Sequence, residues 1–209
     1  MRILGIDPGL TRCGLGVIDV DETRRLSLVH VECARSQAKM GAQFRLRDIG
    51  QAIERVIDTY DPDIAAIERV FAQDNLQSVT TTMQVMGVAM YCCGVRGKPM
   101  AVHTPSQVKA AVTGSGTAGK AQVQHMVSRI LALKTVVRPA DAADALAIAI
   151  CQAWRGDNIE GTRSDSRVSV SLSGGVSAHA ELTPAQRVWA DAQAAARRSG
   201  AVDPRRRTH

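Results

Sequence analysis

Three apolar runs rich in strand-forming residues follow one another at the start of the chain. They are RILGI at 2–6, CGLGVIDV at 13–20 and LSLVHVECA at 26–34. The joins between them are short and polar, so we expect these runs to form an antiparallel three-strand meander. The first run stops at Asp7, directly before a Pro-Gly turn.

Helical and strand-like segments alternate after this meander. Helices are predicted at 43–59, 74–93, 105–112, 120–133 and 140–154, and further strands at 63–71 and in MAVH, which follows Pro99. Such an order is typical of an α/β fold, in which helices cover a mixed sheet. Ligands of these sheets bind beyond the carboxyl ends of the strands.

Composition narrows the class of protein further. No apolar run approaches the roughly 20 residues needed to span a bilayer, and the Asp-Pro-Gly turn argues against a secretory signal. Five cysteines without zinc-type spacing are expected to be reduced thiols of a cytoplasmic protein. The net charge of +6 favours a polyanionic partner. We expect one domain over 1–155 and a basic, mostly disordered tail over 156–209.

Four carboxylates interrupt apolar sequence where a lone charge is costly. Asp7 and Glu68 lie at or near the ends of two predicted strands, and Asp141 and Asp144 are three residues apart on one helix face. If the two strands are parallel neighbours, all four acids converge on one crevice. Oxygen donors of this kind suit Mg²⁺ or Mn²⁺. Two such ions about 4 Å apart activate a water and stabilise the leaving oxygen of a phosphodiester.

Each acid also has a structural interpretation. Asp141 and Asp144 fit an N-cap and the third helical position of the last helix. Asp7 fits a turn before Pro-Gly, and Glu68 fits a surface ion pair with Arg69. The combination of all four is more specific than any one of them.

Several segments, in order from residue 2 to about 154, closely resemble RuvC, the family of bacterial Holliday junction resolvases. They are GIDPGLTRCGLGVI, IERVF, HTPSQVKAAVTG, KAQVQHMVSRIL and PADAADALAIAI. The resemblance implies a ribonuclease H-like fold and a homodimer that makes symmetric nicks in four-way DNA junctions. It implies a divalent-metal site at Asp7, Glu68, Asp141 and Asp144, and cooperation with a branch-migration motor.

The resemblance also implies residues that contact DNA. Phe71 matches an aromatic that stacks at the junction centre, and Lys109 and Lys120 match basic positions near the metal site. We expect Arg69 to contact DNA as well. Phe71 could instead be a core residue and the lysines solvated helix residues. Relatives usually carry an acid before the second lysine, where this chain has Gly119.

Three rival functions start from other features of the chain. GSGTAGKA at 114–121 matches a Walker A loop except at Ala121, which lacks the hydroxyl that binds Mg²⁺. A second rival starts from GIDPGL, because the same fold family includes sugar-kinase and actin-like phosphotransferases, whose first hairpin holds phosphate. These proteins need a second phosphate loop and an adenosine pocket. A junction-binding protein without catalysis is the third, and the presence of all four acids argues against it.

A stripe of apolar residues in the helix predicted at 74–93 has coiled-coil spacing. Its members are Leu76, Val79, Met83, Met86 and Met90. We expect either that this stripe forms the dimer interface or that it packs on the protein's own sheet.

Overall fold

The computed structural model describes residues 1–69, 76–156 and 159–160. Its strands are β1 (Arg2–Asp7), β2 (Arg12–Val20), β3 (Leu26–Arg35), β4 (Ile64–Glu68), β5 (Met100–His103) and β6 (Ile159–Glu160). Its helices are α1 (Ala42–Tyr60), α2 (Leu76–Val95), α3 (Pro105–Thr113), α4 (Lys120–Ile130) and α5 (Ala140–Arg155). The α/β class is therefore confirmed.

The strands form one mixed sheet in the order β3-β2-β1-β4-β5-β6. The first three strands pair antiparallel, so the predicted meander is confirmed. Strands β1, β4 and β5 run parallel, and their carboxyl ends therefore meet at the same edge. The short strand β6 pairs antiparallel with β5 and closes the other side of the sheet.

Helices cover both faces of the sheet. Leu4 and Ile6 of β1 pack in the cluster that contains the buried residues of α1 and α2. Ile3, on the opposite face of the same strand, packs in the cluster that contains α3, α4 and α5. The alternation of side chains along β1 thus directs Asp7, like Ile3 and Gly5, to the face that carries α5.

Helix α5 approaches the sheet more closely than side chains on β1 and β2 would allow. A Cβ atom built on Gly5 would lie 2.0 Å from the carbonyl oxygen of Ala145, and one built on Gly14 would lie 1.9 Å from that of Asp141. Both distances are below any real carbon–oxygen contact. Glycine at these positions is therefore what lets the acid-bearing end of α5 rest on the strands.

The predicted elements differ from the observed ones mainly at their ends. Strand β4 ends at Glu68 and α4 ends at Ile130. The last two residues of the predicted strand, 70 and 71, lie outside the described residues. The predicted N-cap at Thr104 is confirmed, because its hydroxyl accepts a hydrogen bond from the backbone N–H of Gln107. Helix α3 ends at Gly114 in the left-handed conformation. The Walker A interpretation thus lacks the strand that must precede such a loop.

Most of the predicted basic tail lies outside the described residues, so the boundary at 155 stays a prediction. Ile159 and Glu160 are described, and they belong to the sheet as β6. Within the described ranges, no helix combines the length and the apolar character that a membrane span requires.

Candidate metal and DNA cleavage site

The register of the parallel strands sets Asp7 beside Glu68. Ile6 of β1 pairs with Ile67 of β4, so the next residue of each strand is an acid at the carboxyl edge of the sheet. Asp7 also pairs across β2 with Gly14, the glycine against which the backbone of Asp141 packs. One strand end thereby contacts both other elements that carry the predicted acids.

Helix α5 supplies the remaining two carboxylates from its first two turns. The helix begins at Ala140, its N-cap residue is Pro139, and no side chain caps it. The interpretation of Asp141 as the N-cap is therefore wrong. Asp141 lies in the first turn and Asp144 one turn later, on the side of the helix that faces Asp7 and Glu68.

All four acids line a single cleft of about 370 Å³. The same cleft is lined by Lys109 of α3 and by Lys120, the first residue of α4. The sequence predicted the four acids as one group, and the family resemblance implied the two lysines near them; all six line the same cleft. The cleft therefore combines the oxygens of four carboxylates with the ammonium groups of two lysines.

Burial and mutual repulsion disturb the ionisation of these acids. Burial, together with the charges of Asp144, Glu68 and Asp141, raises the pKa of Asp7 to about 7 against the opposing effect of Lys120. Burial, followed by the charge of Asp144, raises the pKa of Glu68 to about 7 as well, although Lys109 and Lys120 oppose the shift.

The pKa of Asp144 is also raised, again chiefly by burial. The environment of the cleft thus disfavours the charged form of three carboxyl groups. A cation among them would reverse this effect.

This donor set fits hard divalent cations, which prefer carboxylate oxygens. Among the described residues, however, no three His, Cys, Asp or Glu side chains stand close enough together to ligate one ion without rearrangement. Asp141 instead makes an ion pair with Arg12, whose Nε lies 3.1 Å from its Oδ2. A cation held by these four acids would therefore need their side chains to rotate, and Asp141 would have to leave Arg12.

The predicted DNA contacts have different outcomes. Arg69 is exposed and follows Glu68, and its backbone N–H donates to the carbonyl of His103 at 2.7 Å. Phe71 lies outside the described residues, so its stacking role stays a prediction. Gly119 is the N-cap residue of α4, and an added Cβ there would meet nothing within 4 Å. An acid at this position would therefore fit, and its replacement by glycine leaves the start of α4 uncapped by a side chain.

Two features of the site were missed at the sequence level. Arg12 lines the cleft and pairs with Asp141, but a lone arginine after a turn carries no distinctive signal. Gly14 and Gly16 did carry a recognisable signal, because two glycines at alternate positions of a strand mark a close approach on one face.

A buried hydrogen bond joins β5 to α5. His103, which pairs with Glu68 across β4 and β5, lies with its Nε2 2.7 Å from Oε1 of Gln152.

Comparisons with known proteins agree on one family. The family model described as crossover junction endodeoxyribonuclease RuvC matches residues 3–152. A Leifsonia xyli protein of that name is 50% identical over 213 residues, which cover 99% of this chain and 98% of the relative. One from Thermobifida fusca is 53% identical over 156 residues, or 75% of this chain and 86% of the relative.

Solved structures agree with this result. Thermus thermophilus RuvC in complex with a Holliday junction substrate is 33% identical with a TM-score of 0.71, covering 75% of this chain and 94% of that one. The yeast mitochondrial Holliday junction resolvase Ydc2 matches with a TM-score of 0.54 at 10% identity and covers 72% of this chain and 78% of that one. The latter likeness concerns the fold alone.

Proposed function

The chain belongs to the RuvC family of crossover junction endodeoxyribonucleases, and on this premise we propose that it resolves four-way DNA junctions by hydrolysing phosphodiester bonds. The observation that carries the proposal is that four carboxylates from three separate elements line one cleft. Two symmetric cuts would leave ends that a ligase can reseal. The activity would serve homologous recombination and DNA repair.

We propose that Asp7, Glu68, Asp141 and Asp144 hold two divalent cations, with Mg²⁺ or Mn²⁺ as the candidates. Bound cations would supply an activated water and charge stabilisation at the leaving oxygen. The protein's own contribution is to hold the four carboxylates on rigid elements. The strand ends fix Asp7 and Glu68, and the glycine contacts fix the start of α5.

The two lysines are proposed to bind the scissile phosphate. Lys109 is half-buried on α3 and Lys120 is exposed at the first position of α4, so they reach the cleft from two elements. Positive charge at these positions would offset the charge that accumulates on the phosphate in the transition state. We propose Arg69 and Phe71 as contacts with the DNA beside the cut.

We propose that helix α2 forms the interface of a homodimer. Its sequence contains no charged residue, and Met83 (60%), Tyr91 (69%) and Val95 (63%) are exposed on it. Gly87 and Gly94 are exposed on the same helix, and a Cβ atom at either would meet open space. Glycines in a helix cost stability unless something packs against them, so a partner helix would explain both the glycines and the exposed apolar groups.

The structure divides the predicted methionine stripe rather than assigning it to one role. Met86 and Met90 are partly buried against the core, whereas Met83 points to solvent. Met83→Glu should therefore leave the fold intact and give a monomer in light scattering. Val136→Glu is the matched control, because Val136 is exposed and is not part of α2. A Met83→Glu protein of unchanged mass would argue against this interface.

We propose further that the protein acts in the cytoplasm together with a branch-migration motor. A two-fold dimer presents the same surface twice, which suits a two-fold junction. Sedimentation of a mixture of this protein, the motor proteins and a junction tests the partnership. Co-sedimentation that requires all three components is expected, and independent sedimentation would contradict it.

Cleavage of a synthetic four-way junction tests the function. The purified protein is incubated with the junction or with a linear duplex of the same sequence, with and without Mg²⁺. We expect paired nicks in the junction alone and only with Mg²⁺, and none from Asp7→Asn. Binding of the junction without cleavage in any divalent cation would instead indicate a binding protein.

A further inference from the structure

Arg12 makes an ion pair with Asp141 at the mouth of the cleft. Its Nε lies 3.1 Å from Oδ2 of Asp141, and 58% of the Arg12 side chain and 23% of the Asp141 side chain are exposed. Ion pairs as exposed as this one add little to the free energy of unfolding. The pair is therefore easily exchanged for another, and its position beside three further carboxylates suggests a role in the reaction rather than in stability.

The fold fixes the backbones on both sides of this pair. The turn between β1 and β2 is so tight that a Cβ on Gly9 would lie 2.1 Å from the carbonyl oxygen of Arg12. The backbone of Asp141 is pressed against Gly14 in the same way. The exchange we consider therefore involves only the two side chains, of which the arginine is the longer and more exposed.

We propose that Arg12 is a positioning residue that holds Asp141 until divalent cations bind and then exchanges it for a phosphate of the DNA. The inference rests on the proposed nuclease function, because it assumes that Asp141 is a metal ligand. A guanidinium and a divalent cation both need the oxygens of Asp141. Since they carry charge of the same sign, occupancy of the carboxylate by one weakens the hold of the other.

The surroundings of Arg12 carry further positive charge, which would bring a DNA phosphate within reach of the displaced guanidinium. Arg12 pairs across the sheet with Arg35, which is also exposed. The neighbouring Arg45 donates to the hydroxyls of Thr11 at 2.7 Å and Ser36 at 3.0 Å, both of which are neutral. Three guanidinium groups thus lie close to where β2 begins and β3 ends. Guanidinium groups match phosphate oxygens in a bidentate geometry, so a DNA backbone would attract Arg12 away from the cleft.

The competition between Arg12 and a divalent cation for Asp141 is tested by isothermal titration calorimetry. Mn²⁺ is titrated into protein from which metal has been removed with EDTA and the EDTA then dialysed away. Arg12→Gln should bind Mn²⁺ about two- to fivefold more tightly than the natural protein, the factor that corresponds to the worth of an exposed ion pair. Arg25→Gln is the matched control, because it removes the same charge from an exposed position outside the cleft. Its affinity for Mn²⁺ should be unchanged. Equal or weaker binding of Mn²⁺ by Arg12→Gln would overturn the proposal.

Junction binding tests the second half of the exchange. Arg12→Gln should lose more affinity for a four-way junction in Ca²⁺ than in EDTA, because only a bound cation releases Arg12 to the DNA. Arg12→Lys should recover part of the loss, since it restores the charge without the planar fork. An equal loss in Ca²⁺ and in EDTA would overturn the exchange.

Equal thermal unfolding of the variants excludes a folding defect. The calorimetric result does not depend on cleavage, so a natural protein that fails to cut junctions would overturn the proposed function while the Mn²⁺ affinities still decide the role of Arg12.

Discussion

Asp7→Asn should stabilise the protein at pH 8 in EDTA. The pKa of Asp7 is raised from 3.8 to about 7, so the folded protein holds this proton more tightly than the unfolded chain does. The folded state therefore binds more protons between about pH 4 and pH 7, and the contribution of Asp7 to the free energy of unfolding falls as the pH rises through that window. Asparagine cannot ionise, so the variant does not lose this part of the free energy of unfolding at high pH.

The pKa shift sets the size of the effect. It corresponds to at most about 4 kcal/mol, and because the side chain is partly exposed we expect a gain of about 2 kcal/mol at pH 8. At pH 4 both side chains are largely neutral, so the difference should approach zero. Adding Mg²⁺ at pH 8 should stabilise the natural protein more than the variant, because the variant has lost one of the proposed ligands.

Urea unfolding at pH 4, 6 and 8 measures these differences. Asp58→Asn is the control, because Arg96 lowers the pKa of the exposed Asp58 and the same substitution should there destabilise at neutral pH. A difference between Asp7→Asn and the natural protein that is the same at all three pH values would refute the reasoning. A less stable Asp7→Asn protein at pH 8 in EDTA would do so equally.

The remaining predictions concern the other parts of the site. Gly14→Ala should cost about 1–3 kcal/mol of stability in urea unfolding, since the added methyl overlaps the carbonyl of Asp141. Asp141→Asn should retain junction binding and lose cleavage in a gel assay, and retained cleavage would reduce this acid to a helix-end residue. Lys109→Ala and Lys120→Ala should each lower the slope of log affinity against log salt by about one, as fluorescence anisotropy would show.

The order of the elements could be predicted because hydrophobic periodicity and turn residues are local signals. The meander, the capped start of α3 at Thr104 and the acids at the strand ends all follow from patterns within a few residues. The pairing of Asp7 with Glu68 could be predicted only on the assumption that β1 and β4 are parallel neighbours. The observed register now establishes that arrangement.

What the sequence could not supply depends on contacts between distant segments. The ion pair between Arg12 and Asp141 joins residues that are 129 positions apart, and nothing local to either residue indicates it. Asp141 looked like a helix cap because acids commonly begin helices, yet Pro139 holds that position. The stripe on α2 was ambiguous because apolar residues of a helix face either the core or a partner, and Met83 and Met86 differ in this respect.

An anomalous difference map from crystals soaked in Mn²⁺ tests the central claim most directly. The account predicts peaks in the cleft, with carboxylate oxygens of Asp7, Glu68, Asp141 and Asp144 each about 2–2.5 Å from a peak, and Asp141 turned away from Arg12. Peaks elsewhere on the protein, or a cleft that stays without Mn²⁺ while Asp141 remains paired with Arg12, would contradict it.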